Sequence, residues 1–249
     1  KLFKFISKKV YRASDYICVT SPSFKSHFVK QFDISEQKIT YLPQYAEDLF
    51  IPDESIVNKE SVDLTFAGNI GKAQNLETIL KAASLIEKNT DLPKKIHFHF
   101  VGDGTELLSM KALAHELELK NVSFYGRRSL EEMPTFYKKS DAMLVSLIGD
   151  SIVSRTIPGK VQSYMAAGKP IIGAISGDTK TIVEEANCGY VSSEQDVEQL
   201  AQNICEFSML SIEEQKELGK QARSYYEKHF SKEQFMTQLE KYLREEFSS

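Results

Sequence analysis

Cysteine is scarce in this sequence: Cys18, Cys188 and Cys205 form an odd, widely separated set without metal-ligand spacing. That pattern excludes a disulfide framework and points to buried thiols in a reducing compartment. Long apolar runs are also missing, and none approaches the roughly 20 residues a helix needs to span a bilayer. There is no basic excess either. The formal net charge is −4, which excludes a general nucleic-acid binder, because neutralising phosphates requires a basic surface. Internal repeats and low-complexity tracts are absent. No signal peptide precedes Lys1, and a chain opening on lysine leads us to expect that the natural chain begins upstream. What remains is 249 residues, 41% hydrophobic and 27% charged, ordinary for a globular protein with a substantial core.

Two patterns follow one another along the chain. Residues 1–13 read as a basic amphipathic helix, with Leu2, Phe3, Ile6 and Val10 among Lys1, Lys4, Lys8, Lys9 and Arg12. Tyr16–Thr20 reads as a short strand, Ser21 as an N-cap and Pro22 as the first position of a helix carrying Phe24, Phe28 and Phe32. Ile39–Leu42 is a second strand stopped by Pro43, and Gln44–Glu60 lacks periodicity and reads as a linker. From residue 61 strands and helices alternate. Strands are expected at Leu64–Ala67, Ile96–Val101, Val122–Tyr125, Ala142–Leu147, Pro170–Ala174 and Tyr190–Val191. Helices are expected over Leu76–Glu87, from Gly104 to about Leu119, and from Pro158. Capping boxes Ser129/Glu132, Ser211/Glu214 and Ser231/Gln234 open further helices. Such alternation predicts a parallel α/β sheet with ligands at the carboxyl ends of its strands.

The loops at those ends hold the candidate binding residues. Gly68-Asn69-Ile70-Gly71-Lys72 lies between a strand and a helix, where glycines admit close backbone approach and free N–H groups favour an anion. Lys72 adds a point charge; a glycine turn with a solvated lysine is the bland alternative. Gly102-Asp103-Gly104 is half of a dinucleotide fingerprint, but Leu107 stands where the third glycine belongs and no acidic residue follows at the ribose position. Nicotinamide binding is therefore disfavoured. Pro158 leaves Gly159 and Lys160 near a bare helix N-terminus suited to a diphosphate, with Arg155 in the same loop. Routine helix capping is the competing reading there. Arg127-Arg128 follows a strand end and suits a phosphate or base, or only solvent. His97 and His99 share a strand face, but no Cys or acidic partner is evident in sequence, so packed or hydrogen-bonded histidines are expected over a metal site.

Taken in order, Phe66-Ala67-Gly68-Asn69-Ile70-Gly71, Val101-Gly102-Asp103-Gly104, Tyr125-Gly126-Arg127 and Tyr164-Met165-Ala166-Ala167-Gly168-Lys169-Pro170 resemble the carboxyl-terminal domain of family 4, GT-B-fold glycosyltransferases. Bacterial O-antigen and capsule amino-sugar transferases are the nearest in pattern. The resemblance spans about 61–230 and implies a Rossmann-like, doubly wound parallel sheet that binds the nucleotide-sugar donor. Residues 1–44 resemble the end of the amino-terminal acceptor domain, 45–60 the linker, and 231–249 the helix that crosses back. The implied enzyme is retaining and needs no metal or other cofactor. Its donor is a uridine diphosphate sugar, expected to be N-acetylated, and its acceptor a lipid-linked glycan. It acts in the cytoplasm, with peripheral contact at the inner plasma-membrane face as an added option for the basic first helix.

Carried over residue by residue, the resemblance puts Gly68, Asn69, Gly71 and Lys72 at the diphosphate, beside Gly102 and Asp103, with Arg127 in the base loop. The loop with Arg155 and Pro158 would touch the donor sugar, and Gly159 and Lys160 would hold phosphate. Two departures stand out. The family's arginine and lysine in the first glycine loop are replaced by Asn69 and Gln74. Its two glutamates fall on Arg155 and Ser163, so the ribose contact is left to a serine. No catalytic residue is assigned. The substitutions keep open an inactive, partner-binding subunit, and an epimerase on the same fold is a third reading. The isolated chain is expected to bind nucleotide weakly and to transfer no sugar.

Overall fold

The computed structural model describes residues 2–53, 60–89, 92–149 and 156–247. Its centre is a parallel sheet of β3 (Ser61–Ala67), β4 (Lys95–Val101), β5 (Val122–Gly126), β6 (Ala142–Ser146), β7 (Ile171–Ala174) and β8 (Gly189–Ser192). The spatial order is β5-β4-β3-β6-β7-β8, and every neighbouring pair is parallel. Chain order therefore reverses between β3 and β6. At such a reversal successive connections leave towards opposite faces and open a crevice beyond the strand ends.

Both faces are covered, which explains why β6 and β7 are buried at every position instead of alternating. One core cluster joins the sheet to α3 (Leu76–Glu87), α4 (Leu107–Glu116) and α8 (Val197–Met209), through Leu64, Phe66, Phe98, Leu80, Ile204 and Phe207. The other joins it to α5 (Met133–Lys139), α6 (Gly159–Ala166), α7 (Gly177–Glu185) and α9 (Ile212–His229), through Met143, Val145, Tyr164, Val183 and Ala222. The expected Ser129/Glu132 and Ser211/Glu214 capping boxes are both formed. Ser231 likewise accepts the Gln234 N–H at 3.2 Å at the start of α10 (Lys232–Phe247). The sequence pattern assigned neither α7 nor α8. Thr, Ile and Val in α7 favour helix weakly, and packing on the sheet supplies what propensity does not.

Before the sheet, α1 (Leu2–Ala13), β1 (Ile17–Val19), α2 (Ser23–Phe32) and β2 (Ile39–Tyr41) form a small unit. Its two strands pair in parallel around Val19, Ile34 and Ile39, with Tyr11 set against Phe28 and Phe32. The stretch read as a linker is packed on the larger unit over its described part: Phe50 is buried and stacks on Tyr137 at 4.9 Å. Ala46 donates its N–H to the Tyr226 hydroxyl at 3.2 Å. Helix α10 reaches back to the first unit through a Tyr16–Tyr242 ring contact and to the stretch read as a linker through Tyr45–Phe235. Among the described residues no helix is long and apolar enough to cross a membrane.

Candidate functional site

Three glycine-bearing loops meet at the carboxyl end of β3, and between the Gly68 and Gly102 loops only glycine lets the backbones approach so closely. A Cβ on Gly102 would lie 1.8 Å from the Gly68 carbonyl oxygen, and Gly102 also has φ of +148°. A Cβ on Gly104 would lie 2.3 Å from the Ile70 carbonyl oxygen. Ile70 donates to the Asp103 carbonyl at 2.8 Å, Glu106 to the Ile70 carbonyl at 3.0 Å, and Gly102 to the Gly126 carbonyl at 2.9 Å. The half-fingerprint is thus first a device for packing one loop on another. Asp103 serves the same end, since its side chain accepts the Gly104 N–H at 2.8 Å.

A cavity of about 660 Å³ opens over this junction, lined by Gly68, Asn69, Gly102, Asp103, Arg127 and their neighbours. Arg128 sits 3.7 Å from Glu132, whereas exposed Arg127 has no ion pair among the described residues. Asn69 and Gln74, which stand where the resembling family has cations, bond weakly to each other at 3.4 Å. Gln74 also accepts the Gly71 N–H at 3.3 Å and holds the turn. Gly71 and Lys72 line a neighbouring cavity of about 580 Å³ with Glu77, Lys81 and Glu106. The structure therefore gathers Gly68, Asn69, Gly102, Asp103 and Arg127 in one cavity and places Lys72 in the next.

Lys160 lies beside Gly68 but is not among the residues that line either cavity. It stands in the first turn of α6, after Pro158 in extended conformation (φ −65°, ψ 137°). The residue as a whole is half-buried, yet Nζ is shut off from solvent and has no hydrogen-bond partner among the described residues. That reverses the usual arrangement, in which the stem packs and the charged head reaches water. The amine sits 3.7 Å from the centroid of the Phe66 ring, and a Cβ on Gly68 would lie 3.2 Å from it. Phe66 belongs to the α3 face and α6 to the opposite face, so the side chain crosses the sheet end between β3 and β6. Burial lowers the Lys160 pKa to about 7.

The resemblance motif contains Tyr164, but sequence reasoning gave it no part in holding this lysine in place. One turn along α6, the fully buried Tyr164 hydroxyl donates to the Ala67 carbonyl at 3.0 Å and accepts the Ala67 N–H at 2.9 Å. It clamps α6 to the end of β3, and burial raises its pKa. Ser163 turns its hydroxyl to the Gly159 carbonyl at 3.2 Å, back along its own helix. Gly159 is exposed at the helix start. Arg155 lies outside the described residues.

Away from the cavity, His99 lies between Asp63 Oδ1 at 2.8 Å and the Tyr125 hydroxyl at 2.9 Å. The acidic partner not evident in sequence is Asp63, on the adjacent strand, with His97 Nδ1 3.9 Å from the same oxygen. Among the described residues no group of His, Cys, Asp and Glu is arranged to hold a metal.

Comparison with known proteins bears on the family and the fold. The family model described as "Glycosyl transferases group 1" matches residues 48–225, well over half of the chain. A probable glycosyltransferase of Pseudomonas aeruginosa, WbjE, is 30% identical over 152 residues, which cover 59% of this chain and 36% of that protein. A putative colanic acid biosynthesis glycosyl transferase of Escherichia coli K12, WcaI, is 28% identical over 105 residues, 42% of this chain and 24% of WcaI. The chain thus matches about a third or less of these relatives' lengths. Among solved structures, Anabaena HepE with UDP and glucose superposes with TM-score 0.79 at 14% identity, covering 97% of this chain and 66% of HepE. TarM of S. aureus, in complex with fondaparinux, α-GlcNAc-glycerol and UDP, gives TM-score 0.77 at 15% identity, covering 98% of this chain and 46% of TarM. These neighbours are GT-B glycosyltransferases and share the parallel, helix-flanked sheet. With its family model matched over the whole sheet, the chain belongs to the group 1 glycosyl transferases.

Proposed function

We propose that this chain is the donor-binding part of a retaining glycosyltransferase, and that the cavity over Gly68, Gly102 and Arg127 takes a uridine diphosphate sugar. The observation that carries this reading is Lys160. A buried amine with no hydrogen-bond partner, beside a glycine loop, at a sheet's topological reversal and in the first turn of a helix, is complementary to a diphosphate. Gly159 and Lys160 would hold phosphate, and Arg127 would meet the base end. With lysine and helix N-terminus supplying charge, no metal is required. Uridine follows from the resemblance to amino-sugar transferases; the UDP bound by HepE and TarM concerns those proteins.

On this reading residues 1–44 belong to the acceptor domain, and the complete enzyme transfers an N-acetylated sugar to a lipid-linked glycan in capsule or O-antigen assembly. Two surviving charge-assisted contacts, about 1.5–3 kcal/mol each, give dissociation constants from millimolar to tens of micromolar. Calorimetry with uridine, guanosine and adenosine diphosphates tests the reading. Preferential uridine diphosphate binding in that range supports it, and nanomolar binding or none at all counts against it. A second reading, an inactive subunit that binds a partner, is favoured by Ser163, whose hydroxyl is turned into its own helix. Sugar transfer by the full-length enzyme without any partner excludes it.

A further inference from the structure

Ser21 was expected to cap α2, but its hydroxyl does something else. The residue is fully buried, and Oγ accepts the N–H of Ile157 at 2.8 Å, 136 residues away in sequence. The N-cap position of α2 falls instead on Pro22, with no side-chain cap. Ile157 is itself buried, so without Ser21 its N–H would lie in the interior unsatisfied. On the other side of the same peptide, the fully buried Thr179 donates its hydroxyl to the Thr156 carbonyl at 3.1 Å. A second strap ties the two anchoring elements together, because Ser23 donates its N–H to Asp178 Oδ2 at 2.8 Å. The β1–α2 turn and the first turn of α7 thus converge on one peptide bond.

That peptide directly precedes the phosphate end of the candidate site. Only Pro158 and Gly159 separate Ile157 from Lys160, and the proline ring fixes φ at the first of them. Tyr164 holds α6 to β3 from within the helix, whereas the bonds at its first residues, Ser163 Oγ to the Gly159 carbonyl and the Val161 N–H to the Pro158 carbonyl, stay within the helix and its cap and do not tie the helix start to the rest of the fold. We infer that Ser21 is a positioning residue of the donor site: with Thr179, it fixes the Thr156–Ile157 peptide and thereby sets where Gly159 and Lys160 stand against β3. The first unit of the chain is on this account part of the donor site's framework. The proposed consequence for ligand binding rests on the donor reading above; the consequence for Lys160 does not.

Ser21→Ala removes the acceptor with almost no change in volume, and Thr179→Val removes the opposing donor isosterically. Exposed Ser26→Ala, whose hydroxyl reaches only the Ser23 carbonyl, serves as the control. Two readouts are taken on the whole chain, uridine diphosphate affinity by calorimetry and the Lys160 ε-carbon titration by NMR, assigned with Lys160→Met. Ser21→Ala and Thr179→Val are each expected to weaken uridine diphosphate binding about three- to tenfold, the loss that follows from one net hydrogen bond. Both should move the Lys160 titration up from about 7 towards the ordinary lysine range, as the amine regains solvent. Ser26→Ala should change neither readout. If the wild type binds uridine diphosphate and both variants match it in affinity and in titration, the inference is overturned and the donor reading stands. If the wild type does not bind, the donor reading fails, and the titration alone decides: an upward shift in the variants upholds Ser21 as a positioning residue of Lys160, and an unchanged one overturns it.

Discussion

At the carboxyl end of β3, the Lys160 amine has only the Phe66 ring beside it and no hydrogen-bond partner, whereas further back along the sheet Asp63 of β3 and His99 of β4 are joined in a closed network. Asp63 Oδ1 meets His99 Nε2 at 2.8 Å, His99 Nδ1 meets the Tyr125 hydroxyl at 2.9 Å, and the Asp63 N–H meets Asp141 Oδ2 at 2.7 Å. Even Lys169, just past α6, donates to the Ser140 carbonyl at 2.8 Å. Among the described residues, one amide atom each of Asn121, Gln162, Asn203 and Gln221 also lacks a hydrogen-bond partner, but Lys160 is the ionisable amine in that set, and burying a group that can carry charge sacrifices the most stability. Groups kept against stability mark places where a ligand completes the interactions.

The largest effect expected from breaking this contrast is at Lys160. Its folded pKa of about 7 lies below the unfolded value near 10.4, so the unfolded chain binds more protons between those limits. The penalty is full below pH 7, shrinks as pH rises, and vanishes above about 10; at pH 7 it is on the order of 4 kcal/mol. Lys160→Met should therefore raise the melting temperature at neutral pH, with the gain fading towards pH 10, while uridine diphosphate affinity falls at least several-fold. Thermal melts across that pH range, paired with calorimetry, check both halves. Gain of stability with loss of binding separates a functional lysine from a packing one.

The network should respond in the opposite sense. Asp63→Ala removes the acceptor of His99 and should destabilise the chain by about 2 kcal/mol, seen as a lower urea midpoint, with uridine diphosphate affinity nearly unchanged. Arg127→Ala, at the exposed rim of the cavity, should alter stability by less than about 0.5 kcal/mol and weaken nucleotide binding about three- to tenfold. The smallest effect is expected at Ser163→Ala. Its hydroxyl is occupied with the Gly159 carbonyl, so uridine diphosphate affinity should change less than about twofold. A larger loss there would restore the ribose contact that the family resemblance assigns to this position.

The strands and their sequence along the chain were legible, though not their order in the sheet, because β-branched and aromatic runs end at Gly68, Gly102, Gly126 and Pro43, where the strand-to-loop chemistry is local. The three loops of the site were legible for the same reason. Their division between two cavities was not, since Lys72 is turned away by a short 3-10 turn at Lys72–Gln74 that the glycine pattern does not reveal. Asp63 was missed as the partner of His99 because the contact depends on the register of β3 against β4, which no short-range pattern encodes. Ser21 looked like an N-cap because local rules favour serine there, and a distant backbone N–H claimed its oxygen instead. The burial of the Lys160 amine is likewise tertiary, set by Phe66 and by the absence of a side chain on Gly68.

The most direct test of the central claim, that a buried neutral lysine awaits a diphosphate, is uridine diphosphate calorimetry at pH 8 in two buffers of different ionisation enthalpy. At that pH an amine with pKa about 7 is mostly neutral when the site is empty and must gain its charge as the ligand arrives. Binding should take up close to one proton per nucleotide in the wild type, and Lys160→Met should lose that uptake along with most of the affinity. Binding with the same heat in both buffers, or binding undiminished in Lys160→Met, would contradict the account.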